Sequence, residues 1–365
     1  MSKAPRRRRE LGFSIVELMV ASTISVIMFT VIIQLFSNNK EAYRIQEGAS
    51  VLNENARYAV SHLQYYLRLA DHWGGVESDE VNVDVGVPGL ALDCTGSAVV
   101  SSVGFRGYNG GAARPLKCIN ANNYEPNTDA FFIRYGAPHP DTVILGDTDV
   151  PPLSGAPSIP DASDGEGPVD ITYMLGANGD GLWVRTRLGY RAFIVEGVDV
   201  GSLPSDMEPA SDPLSITNYR YQSMLYFIRS CSNPGFSGNT ANCDADDDGV
   251  PTLVRMTLNP DFSFTEQDVV AGVENMQLRY GLDTDADMVA DTYVTAATVN
   301  ASNAWNAVIA VRVSVIIANL ERDNTIDDTT TYSLQDYDYT PPTEARNFRR
   351  TQYDFTVQIR NMNRA

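Results

Sequence analysis

An uninterrupted apolar segment near the N-terminus dominates the hydrophobic pattern of this chain. From residue 13 to residue 36 the sequence contains 24 residues and a single charge, that of Glu17. A helix of this length is long enough to cross a bilayer core of roughly 30 Å. Four consecutive arginines at residues 6–9 precede it. Because basic residues stay on the cytoplasmic side, the pattern predicts a single-pass protein whose later residues lie outside.

The helical period continues beyond the apolar segment. Apolar residues recur at alternating steps of four and three at Ile45, Ala49, Leu52, Ala56, Ala59, Leu63 and Tyr66. This stripe predicts one apolar helical face. We therefore predict one helix from Phe13 to Asp71, about 90 Å long, that ends by Gly74 and Gly75. A coiled coil is the alternative for the stripe, but packing against the strands that follow is favoured.

Strand patterns fill the rest of the chain after a weakly patterned, Gly- and Asn-rich stretch at 74–128, which indicates an irregular excursion. Short apolar or alternating runs predict strands at 130–135, 171–175, 182–187, 190–195, 224–229, 253–258, 273–280, 306–317 and 355–359. Two hairpins are expected, one from the runs at 171–175 and 182–187 and one from those at 224–229 and 253–258. One long helix followed only by strands predicts an α+β fold, with the helix laid on an antiparallel sheet.

Glu17 is unusual inside an apolar span. A central acidic residue costs roughly 2.5–3.5 kcal/mol on insertion, and less near an end. A cleaved signal peptide would carry small residues after its apolar stretch, whereas Gly12 stands before it. The run Gly-Phe-Ser-Ile-Val-Glu-Leu at 12–18, behind a basic leader, resembles the type IV prepilin signature.

That resemblance implies a maturation step and an assembly role. A prepilin peptidase would cleave between Gly12 and Phe13 and N-methylate Phe13. Glu17, which seeks a positive partner in lipid, would then pair with the α-amino group of a neighbouring subunit's Phe13 and set the register of assembly. The alternative is an ordinary single-pass anchor in which Glu17 lies at the membrane interface.

Composition bounds the domains and excludes some partners. The chain has 365 residues, 43% of them hydrophobic, which is ample for a large core. We expect a leader at 1–12, a pilin helix at 13–73 with its membrane segment at 13–36, and a head at 74–365. Losing the leader, whose net charge is +4, takes the net charge from −19 to near −23. Such an acidic chain argues against nucleic-acid binding, which needs basic patches.

Four cysteines form two sequence-local pairs, Cys94 with Cys118 and Cys231 with Cys243. In an oxidising compartment disulfides are expected. Three connectivities are possible, and the local one is favoured because each bond would close a polar loop, worth roughly 3 kcal/mol in the chain-entropy model. Zinc is the alternative, although the sequence has no C-x-x-C and no histidine close to these cysteines.

Two acidic loops place carboxylates at alternating positions, as a calcium loop does. The first has acids at positions 1, 3, 5 and 9: Asp283, Asp285, Asp287 and Asp291. The second opens with Asp244, Asp246 and Asp248 before a glycine. Neither has a glutamate at position 12, the first has Met288 in place of glycine, and neither precedes a helical pattern. Calcium and a solvated acidic turn are the two interpretations.

Two further segments resemble the PilW family of type IV pilus minor pilins, which is itself similar to pseudopilin J of type II secretion. They are residues 272–285, Gly-Val-Glu-Asn-Met-Gln-Leu-Arg-Tyr-Gly-Leu-Asp-Thr-Asp, and the tail at 349–361. The resemblance implies the pilin fold, an inner-membrane anchor and a periplasmic head. It implies co-assembly with other minor pilins and the major pilin, priming of the pilus and a place at its tip, with a tip adhesin as a further partner.

Other functions remain as alternatives. A type II secretion pseudopilin is the first, and a membrane-anchored calcium-binding or enzymatic domain is the second. Catalysis has little support, because the only histidines are His62, His72 and His139 and the sequence contains no G-x-S-x-G, H-E-x-x-H or P-loop motif. We predict that the protein is not an enzyme.

Overall fold

The computed structural model describes residues 14–84, 99–137, 158–159, 169–170, 182–187, 190–196, 207, 216–235, 242–244, 247–259, 262–285, 287–359 and 361. The chain divides into two compact units, and the boundary falls between Val51 and Leu52. This boundary lies within the long helix, whereas the sequence pattern places the start of the head at residue 74. The part of the helix after Val51 belongs to the head unit. The physical reason is that its apolar stripe is part of the head's core.

Helix α1 (Ile15–Leu69) is the first element. Its apolar stripe is buried within the head unit, where five residues from the last five turns join the main core together with Ala70 just beyond the helix end: Leu52, Ala56, Ala59, Leu63 and Leu67. Four of the stripe residues predicted from the sequence are among them, and Tyr66 packs at the edge of the same core. The stripe thus packs against strands, as predicted.

The helix ends five residues before the predicted glycines. Asp71 adopts a left-handed conformation with φ of 64°, which Asp tolerates better than most residues. Its amide donates to the carbonyl oxygen of Arg134 at 3.0 Å, which ties the helix end to a strand. Gly104 packs against this turn so closely that a Cβ at that position would lie 2.3 Å from the Asp71 Cα.

Sixteen strands are present in the described ranges: β1 (Val81–Asp84), β2 (Phe105–Tyr108), β3 (Ala130–Gly136), β4 (Ser158–Ile159), β5 (Val169–Asp170), β6 (Leu182–Arg187), β7 (Arg191–Glu196), β8 (Ile216–Arg229), β9 (Thr252–Leu258), β10 (Phe264–Ala271), β11 (Val273–Leu282), β12 (Thr292–Val294), β13 (Val308–Ala318), β14 (Tyr332–Leu334), β15 (Tyr337–Tyr339) and β16 (Arg350–Gln358). A short helix, α2 (Ala296–Ser302), lies between β12 and β13. Single 3-10 turns cover Ser78–Glu80, Trp305–Ala307 and Thr343–Ala345.

Two main sheets organise these strands. The first has the order β1-β7-β6-β8-β3-β2, with β9 added to β8 and β10 added to β9. All of its pairings are antiparallel except β1 with β7. The second has the order β12-β11-β13-β16 and is antiparallel throughout. The pairs β14-β15 and β4-β5 stand apart.

Strand β3 shows how the cores are divided. Its alternate residues Phe131, Ile133 and Tyr135 join the core that contains the helix stripe. Ala130 and Phe132 point the other way, into a second core on the opposite face of the first sheet. A strand that is buried on both faces reads as a continuous apolar run, and residues 130–135 form such a run apart from Arg134, which is itself buried.

The second sheet contributes its apolar face to the first core. Val311, Val313 and Val315 of β13 lie there, together with Val357 of β16. The strict alternation of these strands in the sequence predicted that face correctly. The helix stripe is therefore in one core with residues from both sheets, rather than lying on a single sheet.

Most predicted strands are confirmed, and several elements were missed. The run at 171–175, and with it the first predicted hairpin, lies outside the described residues, whereas β8 and β9 form the second hairpin as predicted. Residues 74–128, expected to be irregular, contain β1 and β2. Strand β10 was missed because four of its eight residues are exposed and its pattern is polar. Residues 306–307 form a 3-10 turn before β13 rather than its first residues.

We predict that truncation of the helix stripe unfolds the head. Leu63 is fully buried, so Leu63→Ala should lower the free energy of unfolding by about 2–5 kcal/mol through lost contacts and a cavity. Denaturant unfolding of the full chain in detergent measures this. Arg57→Ala, on the exposed face of the same helix, is the control and should change it by less than about 0.5 kcal/mol. Equal effects of the two substitutions would contradict the packing.

We also predict that Asp71 makes the head less stable as the pH rises. Burial raises the pKa of Asp71 to about 8, although hydrogen bonds from Trp73 and Gly104 oppose the shift and Asp79 adds to it. Between about pH 4 and pH 8 the folded state keeps a proton that the unfolded state releases. The free energy of unfolding should fall with pH in that window, by at most about 1.4 kcal/mol per pH unit.

Denaturant titrations at several pH values measure this slope. Asp71→Asn keeps an oxygen that can accept from Trp73 and Gly104 but does not titrate, so its slope in this window should be smaller. The exposed Asp327→Asn serves as the control and should keep the slope of the original chain. An unchanged slope in Asp71→Asn would show that another group carries the dependence.

Candidate functional site

The first turn of α1 is closed by its own side chains. The Ser14 amide donates to Glu17 Oε2 at 3.1 Å, and the Val16 amide approaches Ser14 Oγ at 3.4 Å. The Leu18 amide donates to the Ser14 carbonyl oxygen at 3.1 Å. The glutamate thus makes its half of a capping box by accepting from the N-cap amide, while the N-cap hydroxyl faces the amide two positions later and not three. Glu17 therefore has a local role that the sequence analysis did not assign. The predicted cleavage residues Gly12 and Phe13 lie outside the described residues.

Hydroxyl groups within the apolar segment are satisfied by the helix itself. Ser22, Thr23, Ser25 and Thr30 each donate to a carbonyl oxygen three or four residues earlier, at 2.7 to 3.0 Å. In a hydrocarbon environment polar groups must find partners within the protein. These side chains therefore do not prevent insertion, and the helix is long and apolar enough to cross a membrane.

Large apolar side chains cover this segment and are exposed. Ile15, Phe29 and Phe36 are 68 to 80% exposed. Exposed apolar surface of this extent marks contact with lipid or with other proteins. In the described part of the chain, moreover, Glu17 has no cationic partner. The segment therefore offers an apolar surface with one carboxylate near its start, which is suited to a bilayer or to other helices.

The second cysteine pair is bonded. Cys231 and Cys243 form a disulfide with a Cα–Cα distance of 5.7 Å, and it closes the loop between β8 and β9. Cys118 is also in a disulfide, while its expected partner Cys94 lies outside the described residues. Asp247 lies near Cys231 and Cys243, but a disulfide leaves no thiolate to hold a metal. The zinc alternative is therefore wrong for this pair.

The loop after β11 brings three of its four predicted carboxylates together. One oxygen from each of Asp283, Asp285 and Asp287 lies within 4.8 Å of the others. Crowding of like charges raises the pKa of Asp285, chiefly through Asp287. Asp285 Oδ1 accepts from the Asp287 amide at 3.3 Å, and Asp283 Oδ2 accepts from the Met288 amide at 2.9 Å. The loop is thus shaped by its own carboxylates, and the same oxygens are the kind that calcium binds.

Asp291 is not in this group. Its Oδ2 accepts from the Thr284 amide at 2.8 Å and from the Thr284 hydroxyl at 2.6 Å, and these bonds lower its pKa. It closes the loop instead of joining the three converging carboxylates. Met288, which stands where a calcium loop has glycine, has φ of 66°. A helix does follow, contrary to expectation: α2 begins after Thr295, whose hydroxyl accepts from the Thr298 amide.

The carboxylates of the second acidic loop do not converge in the described residues. The Asp244 amide donates to Asp247 Oδ2 at 2.7 Å. Asp248 accepts from the Ser232 amide at 2.9 Å and from the Val250 amide at 3.0 Å. Partial burial would raise the pKa of Asp248, but these hydrogen bonds outweigh it and lower the pKa. Asp248 thus holds the loop beside the disulfide, and Asp246 lies outside the described residues.

A buried ion-pair network was missed by the sequence analysis. The side chain of Arg350, at the start of β16, is buried and pairs with Glu274 through two hydrogen bonds, of 2.6 and 2.9 Å. Asp328 lies 3.3 Å from the same guanidinium, and Tyr339 donates to Glu274 at 2.9 Å. Burial alone would lower the pKa of Arg350, but Glu274 outweighs it and raises the pKa. Pairs between residues so far apart in sequence leave no local pattern from which they could be predicted.

This network joins the two family-like segments. Glu274 lies in 272–285 and Arg350 in 349–361, and their strands flank β13, whose Ala318 is in register with Arg350. Removing one partner from a buried pair generally costs about 3–5 kcal/mol. The resemblance therefore corresponds to a structural feature of the second sheet rather than to a reactive site.

The histidines that the structure describes lie among aromatic rings. His62 contacts the Tyr226 hydroxyl at 3.1 Å and packs near Tyr66. Burial, followed by the charge of Arg255, lowers the pKa of His62 to about 4, so it is neutral at physiological pH. His72 packs edge-on against Tyr219, and His139 lies outside the described residues. Both described histidines have a packing role.

Comparison with known proteins finds a family match for the C-terminal third of the chain. Residues 239–361 match the family model described as type IV pilus-assembly protein W. A type IV-like pilin from Thermus thermophilus is similar at 10% sequence identity, covering 39% of this chain and 80% of that chain, with a TM-score of 0.17. No curated protein sequence matches the chain. The chain is PilW-like over residues 239–361, which confirms the resemblance drawn from its sequence.

Calcium binding at the loop 283–287 stays a prediction, and a thermal melt tests it. A ligand at 100 times its Kd stabilises the folded state by about 2.7 kcal/mol, so calcium should raise the Tm of the full chain in detergent. The double variant Asp285→Asn, Asp287→Asn should lose this response. The exposed Asp338→Asn is the control. A response that persists in the double variant, or that is absent from the original chain, would exclude this site, and Asp244→Asn tests the second loop in the same way.

Proposed function

We propose that this protein is a minor pilin of type IV pilus assembly. It would be anchored in the inner membrane by α1, with its head in the periplasm, and matured by a prepilin peptidase at Phe13. It would co-assemble with other minor pilins and the major pilin through α1, prime polymerisation and sit at the pilus tip. The observation that carries the proposal is the exposed apolar helix, whose Glu17 has no cationic partner among the described residues, together with a C-terminal part that is PilW-like.

The orientation has separate support. The arginines of the leader favour a cytoplasmic N-terminus, and disulfides such as Cys231–Cys243 form in oxidising compartments such as the periplasm. A cytoplasmic leader is also where a peptidase on that side would reach it. The size of the head supports a tip location, because a bulky head would interrupt a regular filament.

The capping contact sharpens the role of Glu17. One carboxylate oxygen accepts from Ser14 within the same chain, and a carboxylate has further acceptor positions for a second donor. The carboxylate can thus cap its own helix and bind the α-amino group of a neighbouring subunit together. Its negative charge matters for the second contact, because a charge in lipid needs an opposite charge.

Two substitutions separate these roles. Glu17→Gln keeps an acceptor for the Ser14 amide but removes the charge, while Glu17→Ala removes both. We expect both variants to reduce incorporation into sheared pili by more than about tenfold, because an amine left without its partner in lipid is costly. Immunoblots of pilus and membrane fractions measure this, with Glu41→Ala on the exposed part of the helix as the control.

The outcomes distinguish the alternatives. If Glu17→Gln assembles normally and Glu17→Ala does not, only the cap matters and the intersubunit amine contact is wrong. If neither changes assembly, Glu17 is an ordinary residue of an anchor. Intact mass of the membrane-extracted chain, with and without the peptidase, gives the processing site directly. Copurification with secretion-system components rather than pilins would favour the type II secretion alternative.

A further inference from the structure

A pocket opens in the head where β11 begins and β13 ends. Its volume is about 260 Å³. Apolar side chains form much of its wall, namely Val250, Pro251, Leu320, Pro342, Ala345 and Phe348. Three carboxylates also line it, those of Glu125, Glu274 and Glu344. All of these residues belong to the head unit, so the pocket is independent of the proposal about the helix.

Backbone contacts fix the floor of this pocket. The Gly272 amide donates to the carbonyl oxygen of Pro251 at 2.7 Å, and the Ala318 amide donates to the carbonyl oxygen of Gly272 at 2.7 Å. Gly272 has φ of 88°, and a Cβ there would lie 2.6 Å from the Ala318 carbonyl oxygen. Only glycine permits this approach. The pocket is therefore held by the sheet and not by loops alone.

The three carboxylates differ in their hydrogen-bond and ion-pair partners. Both oxygens of Glu274 are bound by Arg350, and one also accepts from Tyr339. Glu125 is half-buried, and Glu344 is exposed at the rim. Neither Glu125 nor Glu344 has an ion pair or a side-chain hydrogen bond in the described part of the chain. The pocket thus carries two carboxylates that its own walls do not neutralise.

The raised pKa of Glu125 is consistent with a carboxyl group that has no cationic partner in the pocket wall. Burial, followed by the negative charge of Glu274, raises the pKa of Glu125 to about 7. A carboxyl group held in this state gains from any cation brought next to it, since an opposite charge favours the ionised form. Glu274, the charged group that acts on Glu125, is itself paired with Arg350.

The spacing of the pocket's carboxylates favours an organic cation over a metal ion. Among the described residues, the acidic side chains that converge on one point include Asp283, Asp285 and Asp287 but neither Glu125 nor Glu344. A compact metal ion needs several oxygens at one point. An organic cation instead places its charge at the carboxylates and its stem along apolar walls, and the rings of Tyr339 and Phe348 can contact a guanidinium face.

We propose that this pocket binds an alkylammonium or guanidinium group on an apolar stem, with Glu125 as the main charge partner and Glu344 at the rim. A lysine or arginine side chain of a partner protein and a free aliphatic amine share this chemistry. The experiment below distinguishes these two sources.

Isothermal titration of the full chain in detergent tests the pocket. The free-amine probe is n-pentylammonium, with n-pentanol as its neutral counterpart. The side-chain probe is the peptide acetyl-Gly-Lys-Gly-amide, with the same peptide acetylated on lysine as its neutral counterpart. We expect a charged probe to bind at least tenfold more tightly than its neutral counterpart at pH 8. Binding should weaken several-fold at pH 6, where Glu125 holds its proton.

Variants assign the binding to these residues. Glu125→Gln should weaken the charged probe about tenfold, and Glu344→Gln should weaken it less, because Glu344 is solvated. Ala345→Leu should block the probe by filling the wall, and it keeps the test open if Glu125→Gln does not fold. Glu80→Gln, an exposed acid outside the pocket, is the control and should bind as the original chain does.

Each outcome has one meaning. Binding of pentylammonium without binding of the peptide identifies a small-molecule site, and the reverse identifies a site for a basic side chain of a partner. Charged probes that bind no more tightly than their neutral counterparts overturn the proposal. So does binding that survives both Glu125→Gln and Ala345→Leu. None of these results depends on pilus assembly, which the Glu17 variants test separately.

Discussion

Burial of one face of α1 in the head is the contact on which the rest of the fold depends. The stripe from Leu52 to Ala70 is in one core with strands of both sheets. Its small residues, Ala56 and Ala59, are fully buried and allow the strands to approach the helix closely. Leu63 and Leu67 fill the space between. Because both sheets bury apolar residues in this core, loss of the helix would expose part of the apolar face of each.

The second core and the ion-pair network add contacts that do not involve the helix stripe. Strand β3 is buried on both faces and so links the helix side of the first sheet to its far side. Arg350 and Glu274 connect β16 and β11 across the end of β13. A buried pair of this kind contributes less to net stability than its geometry suggests, because both charges were desolvated.

The upstream part of α1 differs from the head in being apolar and uncovered. Within the head, polar groups such as Asp71 and Arg350 find partners in the same chain. The segment from Ile15 to Phe36 buries none of its large apolar side chains in the described structure. Its hydroxyls are satisfied by the helix, so among the described residues it lacks only an apolar surrounding and a charge opposite Glu17. A membrane and then a filament of like subunits would supply both in turn, which is the physical basis of the proposed pilin role.

The sequence by itself determined the elements whose signals are local. A period of 3.6 residues predicted the helix stripe, and strict alternation predicted β13 and β16. Only the tertiary structure decided that two sheets share the helix, that Asp71 rather than a glycine ends it, and that Asp291 turns away from its neighbouring carboxylates. It also decided that Glu125, Glu274 and Glu344 meet at one pocket. These features depend on residues far apart in the chain, whose proximity is set by packing and leaves no periodic trace in the sequence.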